Sequence, residues 1–162
     1  MDKKKHIMSM LVDNKPGVLS RIVGLFSGRG YNIESLCVAP TSDPLISRVT
    51  LATKASDEVM EQIEKQVNKL INVIKVRDLS GDVSVHREMA LMCIHAKPGK
   101  RSEILQIADI FRCKVVDTGL SHITLEATGS EKKIDALISL LKPLGIKKIA
   151  RTGIMALKRE PE

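Results

Sequence analysis

Aromatic residues are scarce in this chain of 162 residues, where they make up 2% of the sequence. There is no tryptophan, and the aromatic residues present are Phe26, Tyr31 and Phe111. Proteins that bind RNA on a β-sheet stack the bases on aromatic side chains of the central strands. The strand-like segments "HIMSMLV" and "SRVTLA" carry no aromatic residue, so the sequence disfavours nucleic-acid binding.

The formal net charge is +7, and the basic residues form small clusters such as Lys3–Lys5 and Lys158–Arg159. Such clusters are most often solvated surface, which is the interpretation that we favour here. A basic surface can also meet nucleic acid, an acidic protein or an anionic ligand, so a basic nucleic-acid binder stays an alternative.

Reactive and metal-binding motifs are also missing. Cys37, Cys93 and Cys113 show no CxxC spacing and lie among apolar residues, which predicts reduced, buried thiols. None of the four histidines lies at metal-ligand spacing from a cysteine, an aspartate or another histidine. The sequence contains neither a GxSxG nucleophile motif nor a GxxxxGK[ST] phosphate loop. It therefore predicts no catalytic residues and no metal site.

Long hydrophobic runs are absent as well. A membrane-spanning helix needs about 20 predominantly apolar residues in succession, and no segment approaches that length. The basic N-terminus is followed by "HIMSMLVDN", which is too short and too polar for a signal peptide. We therefore expect a cytoplasmic protein that does not bind membranes.

The apolar residues that are present follow strand and helix patterns. In the first half, strands are predicted at 6–12, 31–40, 45–53 and 72–78. One helix begins at Val18 and ends at the glycines of "GRG", and a second helix begins after Ser56. The resulting order, β-α-β-β-α-β, is that of a ferredoxin-like sandwich.

The same order of elements returns after "LSGD" at 79–82. Strands are predicted at "REMALMCIHA", "KVVDTGL" and "HITLEAT", helices at 100–112 and after Ser130, and one closing strand over "IKKIARTGIMAL". We therefore predict an α+β protein with two ferredoxin-like βαββαβ sandwiches, in domains 1–78 and 79–162. Because each four-stranded sheet has helices on one face only, its open face and edges favour side-by-side dimerisation.

The turn between the first strand and the first helix, "DNKPGVL", has the residue types of a binding site for a small zwitterion. Asn14 ends the strand, Gly17 permits close approach to the backbone, and the amides of Val18 and Leu19 open a helix whose N-terminus attracts a carboxylate. Asn32 lies beyond the other end of this helix, so a small ligand that contacts both asparagines must lie between two subunits. The residues alone slightly favour the alternative, in which Asn14 is a helix cap and Asn32 a turn residue.

"DNKPGVL" resembles the D/N-x-x-G-x-L signature of ACT domains, which bind free amino acids. The longer stretches "NKPGVLSRIVGLFSGRGYNIESLCVAPTSDPLISRVTL" and "EQIEKQVNKLINVIKV" resemble the small regulatory subunit of acetolactate synthase (acetohydroxyacid synthase), and "DIFRCKVVD" at 109–117 continues this resemblance. The resemblance covers nearly the whole chain. It identifies residues 1–78 as an ACT domain that forms a homodimer and binds a branched-chain amino acid of the valine type at its interface.

The resemblance also implies specific residues and a partner. The implied effector-binding residues are Asn14, Gly17, Val18 and Leu19 of one subunit with Asn32 and Ile33 of the partner subunit. No cofactor is expected in this chain, whereas the large catalytic subunit is expected to hold thiamine diphosphate, Mg²⁺ and FAD. The small subunit is expected to raise the activity of that partner and to confer feedback inhibition in branched-chain amino acid biosynthesis. The alternative is a stand-alone ACT-type sensor that serves another metabolic enzyme.

Overall fold

The computed structural model describes residues 2–161 and divides the chain into two compact units. The first unit comprises Met1–Val85 together with Ile154–Glu162, and the second comprises His86–Gly153. Each unit contains an antiparallel sheet with two helices, which confirms the predicted α+β class. The division differs from the predicted bounds, 1–78 and 79–162, because the C-terminal residues pack with the first unit.

Nine strands and four α-helices follow one another along the described residues. The elements of the first half are β1 (Lys4–Asp13), α1 (Val18–Ser27), β2 (Ile33–Pro40), β3 (Ile46–Ala55), α2 (Asp57–Asn68) and β4 (Val73–Asp78). The elements of the second half are β5 (Ser84–His95), α3 (Arg101–Ile110), β6 (Lys114–Thr118), β7 (His122–Gly129), α4 (Glu131–Leu141), β8 (Ile146–Arg151) and β9 (Met155–Lys158).

The sheet of the first unit has the strand order β2-β3-β1-β4, so that β2 and β4 are its edges. Side chains alternate along β1, and Met8, Met10 and Val12 pack into a core with the helices. The buried residues of α1 lie three to four positions apart, at Val18, Ile22 and Phe26. The opposite face of the sheet carries a second cluster, in which Ile154 and Ala156 are buried with Ile7, Ala52 and Leu79.

The strand order of the second unit is β6-β7-β5-β8. Its core is built from the alternate residues of β5 and β7 together with the apolar stripes of α3 and α4. Glu88 is 2% exposed and binds the Arg151 guanidinium, with 3.1 Å between Oε2 and Nη2. The hydrogen bonds from Arg151 to Glu88, joined by one to Asp135, raise the pKa of Arg151 despite its partial burial. This ion pair fastens β8 to β5 at the edge of the sheet.

Three sequence expectations differ from the structure in detail. The closing strand predicted over "IKKIARTGIMAL" is wrong as a single strand, because Gly153 (φ +77°) separates β8 from β9. Ser130 caps α4 by accepting a hydrogen bond from the Lys133 N–H at 3.2 Å, whereas Ser56 sits at the N-cap of α2 without a side-chain bond. All three cysteines are free thiols, but only Cys93 is buried, and the other two are half-buried.

Candidate ligand-binding site

The four predicted residues of the turn between β1 and α1 lie together, and we call them the turn half-site (Asn14, Gly17, Val18 and Leu19). The Asn14 backbone N–H donates to the Leu45 carbonyl oxygen at 2.8 Å, and its Nδ2 donates to the Pro44 carbonyl oxygen at 2.9 Å. The alternative in which Asn14 caps α1 is therefore wrong, because its side chain binds the β2–β3 loop and Gly17 holds the N-cap position. Among residues 2–161 the Asn14 Oδ1 atom has no donor, so it is available to a ligand.

Gly17 has a left-handed backbone conformation, with φ +84°, and a Cβ atom added there would meet nothing within 4 Å. The space above this residue is therefore open to a ligand, as the turn chemistry predicted. Val18 is 4% exposed because its side chain belongs to the core, so it can offer a ligand only its backbone. Leu19 is 38% exposed and presents an apolar side chain beside the turn.

The N-terminus of α1 differs from the N-termini of α2, α3 and α4. Each of the other three helices has at least one acidic residue in its first turn, and α1 has none and no side-chain cap. Within the part of the chain that the structure describes, the N–H groups of Gly17, Leu19 and Ser20 have no hydrogen-bond acceptor. The partial positive charge of this helix end is thus unopposed by the chain itself, and it favours the approach of a carboxylate.

The other two predicted residues, Asn32 and Ile33, form a second group that we call the strand half-site. Gly30 turns the chain with φ +72° after α1, and Asn32 is exposed just before β2. The Asn32 carbonyl oxygen accepts a hydrogen bond from Thr53 Oγ1 at 2.7 Å, which holds the backbone there, and its side-chain amide has no partner among the described residues. Ile33 is half-buried against the core of the first unit.

The two half-sites lie at opposite ends of the sheet. Asp13, next to the turn half-site, pairs with Ile46 on β3, whereas Ile33 pairs with Thr53 on the same strand. These two positions are seven residue steps apart along β3, which at about 3.3 Å per residue is about 23 Å. The ten residues of α1 span about 15 Å along the helix axis. A free amino acid cannot bridge either distance, so one chain carries two separate halves of the predicted site.

Two family models match this chain. The model described as "AHAS small subunit-like ACT domain" matches residues 8–75, and the model "Small subunit of acetolactate synthase" matches residues 87–160. The probable acetolactate synthase small subunit of Methanothermobacter thermautotrophicus is 48% identical over 160 residues, covering 98% of this chain and 95% of the relative. The chain belongs to the acetolactate synthase small-subunit family. The acetolactate synthase small subunit of Mycobacterium bovis is 46% identical, over 99% of this chain and 96% of the relative.

A solved member of the acetolactate synthase small-subunit family has the same fold. The crystal structure of the small subunit from Thermotoga maritima is 40% identical and superposes with a TM-score of 0.89, covering 98% of this chain and 99% of that chain. The family resemblance predicted from the sequence is therefore confirmed over essentially the full length. The ACT-domain match includes both half-sites, which gives the N-terminal sandwich its family assignment.

Two further structural findings concern metal binding and membrane-spanning helices. Among residues 2–161 no three histidine, cysteine, aspartate or glutamate side chains come together in a group that could hold a metal ion. No helix in the described part of the chain is both long enough and apolar enough to cross a membrane.

Proposed function

We propose that this chain is a regulatory subunit that binds a valine-type branched-chain amino acid between two ACT domains and thereby controls the acetolactate synthase catalytic subunit. Membership of the small-subunit family supports a regulatory role. The observation that carries the proposed site is the separation of its two halves, because a small ligand can contact both only when two copies of the chain meet.

The exposed edge strand β2 offers a way for two copies to meet. Val38 is 41% exposed, and among residues 2–161 no strand pairs with the outer edge of β2. In an antiparallel pair of β2 strands related by a two-fold axis, the start of one strand lies beside the end of the other. The end of β2, Pro40, lies at the same end of the sheet as the turn half-site, because both adjoin the start of β3. This pairing brings the strand half-site of the partner subunit to the turn half-site.

The assembled site suits the chemistry of a free amino acid. The unpaired N–H groups at the start of α1 are donors for its carboxylate, and the carbonyl oxygen of the Asn14 side chain is an acceptor for its ammonium group. The exposed side chain of Leu19 and the half-buried Ile33 of the partner subunit add apolar contacts for a branched side chain. These contacts require no acid, base or nucleophile, which accords with a binding role.

Control of a partner requires more than binding. A bound amino acid shifts the complex between two states only by the difference of its affinities for them, so we propose that it favours one arrangement of the ACT dimer. The large catalytic subunit is the proposed partner, and it is there that we place thiamine diphosphate, Mg²⁺ and FAD. The cytoplasm remains the predicted location.

Calorimetry with valine on the Gly17→Asp and Gly17→Asn variants tests the site. Aspartate and asparagine are nearly isosteric with each other, and both tolerate the left-handed conformation of Gly17. The difference between the two variants therefore measures the effect of the charge. We expect the aspartate to repel the carboxylate of valine and to weaken binding at least tenfold, while the asparagine variant still binds. Undiminished valine binding by Gly17→Asp would exclude this site.

A second experiment tests the partner. We expect the full chain to co-purify with the acetolactate synthase large subunit and to raise its activity, and valine to reduce the activity of the reconstituted complex. Leucine and isoleucine assayed in parallel give the effector order. Valine binding without any association with the large subunit would favour the stand-alone sensor.

A further inference from the structure

The face of the first sheet that is turned away from α1 and α2 contains a cavity of about 320 Å³. Ser9 and Leu11 form its floor, since they alternate along β1 with the residues of the helix-facing core. The cationic side chains that line it are Arg48, Lys75, Arg77, Lys158 and Arg159. They come from β3, from β4 and from the C-terminal segment, so the fold gathers them from three separate parts of the chain.

Strand pairing fixes the positions of the three cations on the sheet. Leu11 pairs with Arg48 on one side and with Lys75 on the other, so these two residues flank it in one row across the sheet. Ser9 pairs with Arg77 in the adjacent row. The guanidinium of Arg48 donates from Nη1 to Ser9 Oγ at 2.9 Å, and Ser9 is 6% exposed. A buried hydroxyl thus orients one arginine at the floor of the cavity.

The C-terminal segment holds the other two cations over the sheet. Ile154 and Ala156 anchor it by their burial in the apolar cluster of this face. The backbone N–H of Arg159 donates to the Val83 carbonyl oxygen at 2.9 Å, and Lys158 Nζ lies 3.3 Å from Asp82 Oδ2. The wall of the cavity is therefore attached to the first unit before its basic residues and at them.

The chain neutralises this charge only in part. Among the lining residues, five cations and the Glu160 carboxylate leave a formal charge of +4, which the ion pair of Lys158 with Asp82 lowers to +3. Asp82 pairs with Lys158, and Glu64 on α2 acts on Arg77 only from beyond ion-pair distance. Within residues 2–161, Lys75, Arg77 and Arg159 make no ion pair. Like charges held together in this way repel one another, and a bound anion would relieve that repulsion.

We propose that this cavity binds a phosphate-bearing anion of more than one negative charge, either inorganic diphosphate or a small organic molecule that carries phosphate groups. Three arginines (Arg48, Arg77 and Arg159) supply planar guanidinium forks, which match the oxygen geometry of a phosphate group. The volume lies in the range of small-molecule sites, and the concave shape fits a compact anion better than a nucleic-acid strand, for which the cavity offers no aromatic stacking surface. The residues of the two half-sites do not line this cavity, so the proposal is independent of the proposed amino-acid site.

Calorimetry on the full chain tests this proposal, with inorganic diphosphate as the first probe and fructose 1,6-bisphosphate as the organic one, at constant ionic strength. The exposed Lys75 is replaced in Lys75→Glu and the half-buried Arg77 in Arg77→Glu. Lys147→Glu, an equal change of charge on β8, is the matched control. We expect at least tenfold weaker binding in each cavity variant and no change in the control. Arg48→Lys should also weaken binding, because it keeps the charge and removes the fork.

Tighter binding of inorganic diphosphate indicates an inorganic ligand, and tighter binding of fructose 1,6-bisphosphate indicates an organic one. Either result supports the site. Absence of binding by both probes overturns the proposal, as does equal weakening by Lys147→Glu. If neither probe binds and the cavity variants instead lose the large subunit, the face serves a protein partner and the proposal is also wrong. Because Lys75 is exposed, its variant keeps the test valid if Arg77→Glu fails to fold. Valine calorimetry on Lys75→Glu should match the unsubstituted chain, which separates this test from that of the proposed function.

Discussion

Val38→Pro is the substitution that most directly tests pairing of β2 with a second copy of the chain. The Thr41 N–H donates to the Ile46 carbonyl oxygen at 2.8 Å. Hydrogen bonding alternates along an antiparallel strand, so the N–H of Ala39 also points toward β3 and that of Val38 points outward. Proline at position 38 therefore removes an outward donor and leaves the hydrogen bonds with β3 in place.

The expected magnitude follows from the symmetry of the proposed dimer. Each copy loses one donor, so a single substitution removes two inter-strand hydrogen bonds and leaves two carbonyl oxygens without partners. At about 1–3 kcal/mol for each unsatisfied group, the dimer loses about 2–6 kcal/mol. Because about 1.4 kcal/mol is a factor of ten in an equilibrium constant, the dissociation constant rises about 30-fold to about 20,000-fold. Water reaches the rim of a strand pair, so we expect the lower part of this range.

Sedimentation velocity over a series of protein concentrations measures the dimer, and valine calorimetry at the same concentrations measures the site. We expect Val38→Pro to become monomeric and to lose valine binding in parallel. Val38→Ala, which keeps the N–H and shortens the side chain, should remain dimeric. A Val38→Pro protein that stays dimeric and binds valine like the unsubstituted chain would refute the pairing through β2.

Three further predictions concern stability. Arg151→Met leaves the buried carboxylate of Glu88 unpaired and should lower the free energy of unfolding by about 3–5 kcal/mol in urea denaturation. Adding Glu88→Gln to this variant should restore part of that loss. An unchanged free energy of unfolding in Arg151→Met would contradict the ion pair. Ile22→Ala, at a fully buried site in α1, should cost about 2–5 kcal/mol in the same assay. Burial raises the pKa of Glu34, but hydrogen bonds from Lys54 and Lys5 hold it below its ordinary value of 4.5. Its stabilising contribution should therefore be full above pH 4.5 and disappear as the pH falls through the lower folded pKa, and Glu34→Gln should flatten this part of the pH–stability curve.

The fold was predictable from the sequence because its signals are local. Alternation along β1 and the apolar stripe of α1 depend on residues a few positions apart, and the structure places these elements within a few residues of the predicted bounds. The return of residues 154–161 to the first unit was not predictable in this way. It depends on the burial of Ile154 and Ala156 against residues far away in the chain, and Gly153 marks only the local break that permits it.

The two halves of the candidate amino-acid site differ in how much the sequence reveals. Gly17 and the first amides of α1 are recognisable from local turn chemistry, and the structure shows the open space and the free donors that this chemistry predicts. The place of Asn32 is also local, but its relation to Asn14 is a property of the sheet. The helix between them already predicts that a second subunit is needed, and the pairing along β3 adds the distance between the two ends, about 23 Å.

The basic cavity illustrates the limit of sequence analysis more strongly. The sequence favours solvated surface for Lys158 and Arg159, and nothing near them in the sequence suggests otherwise. Arg48 lies on β3 and Arg77 on β4, and these two strands flank β1 in the sheet. Both arginines come close to Lys158 and Arg159 because the C-terminal segment crosses the face of the sheet that they share. A charge cluster assembled from three segments has no sequence motif, so its significance depends on geometry. The measurable consequence is that reversing the charge at Lys75 should change anion binding, whereas the same reversal at Lys147 should not.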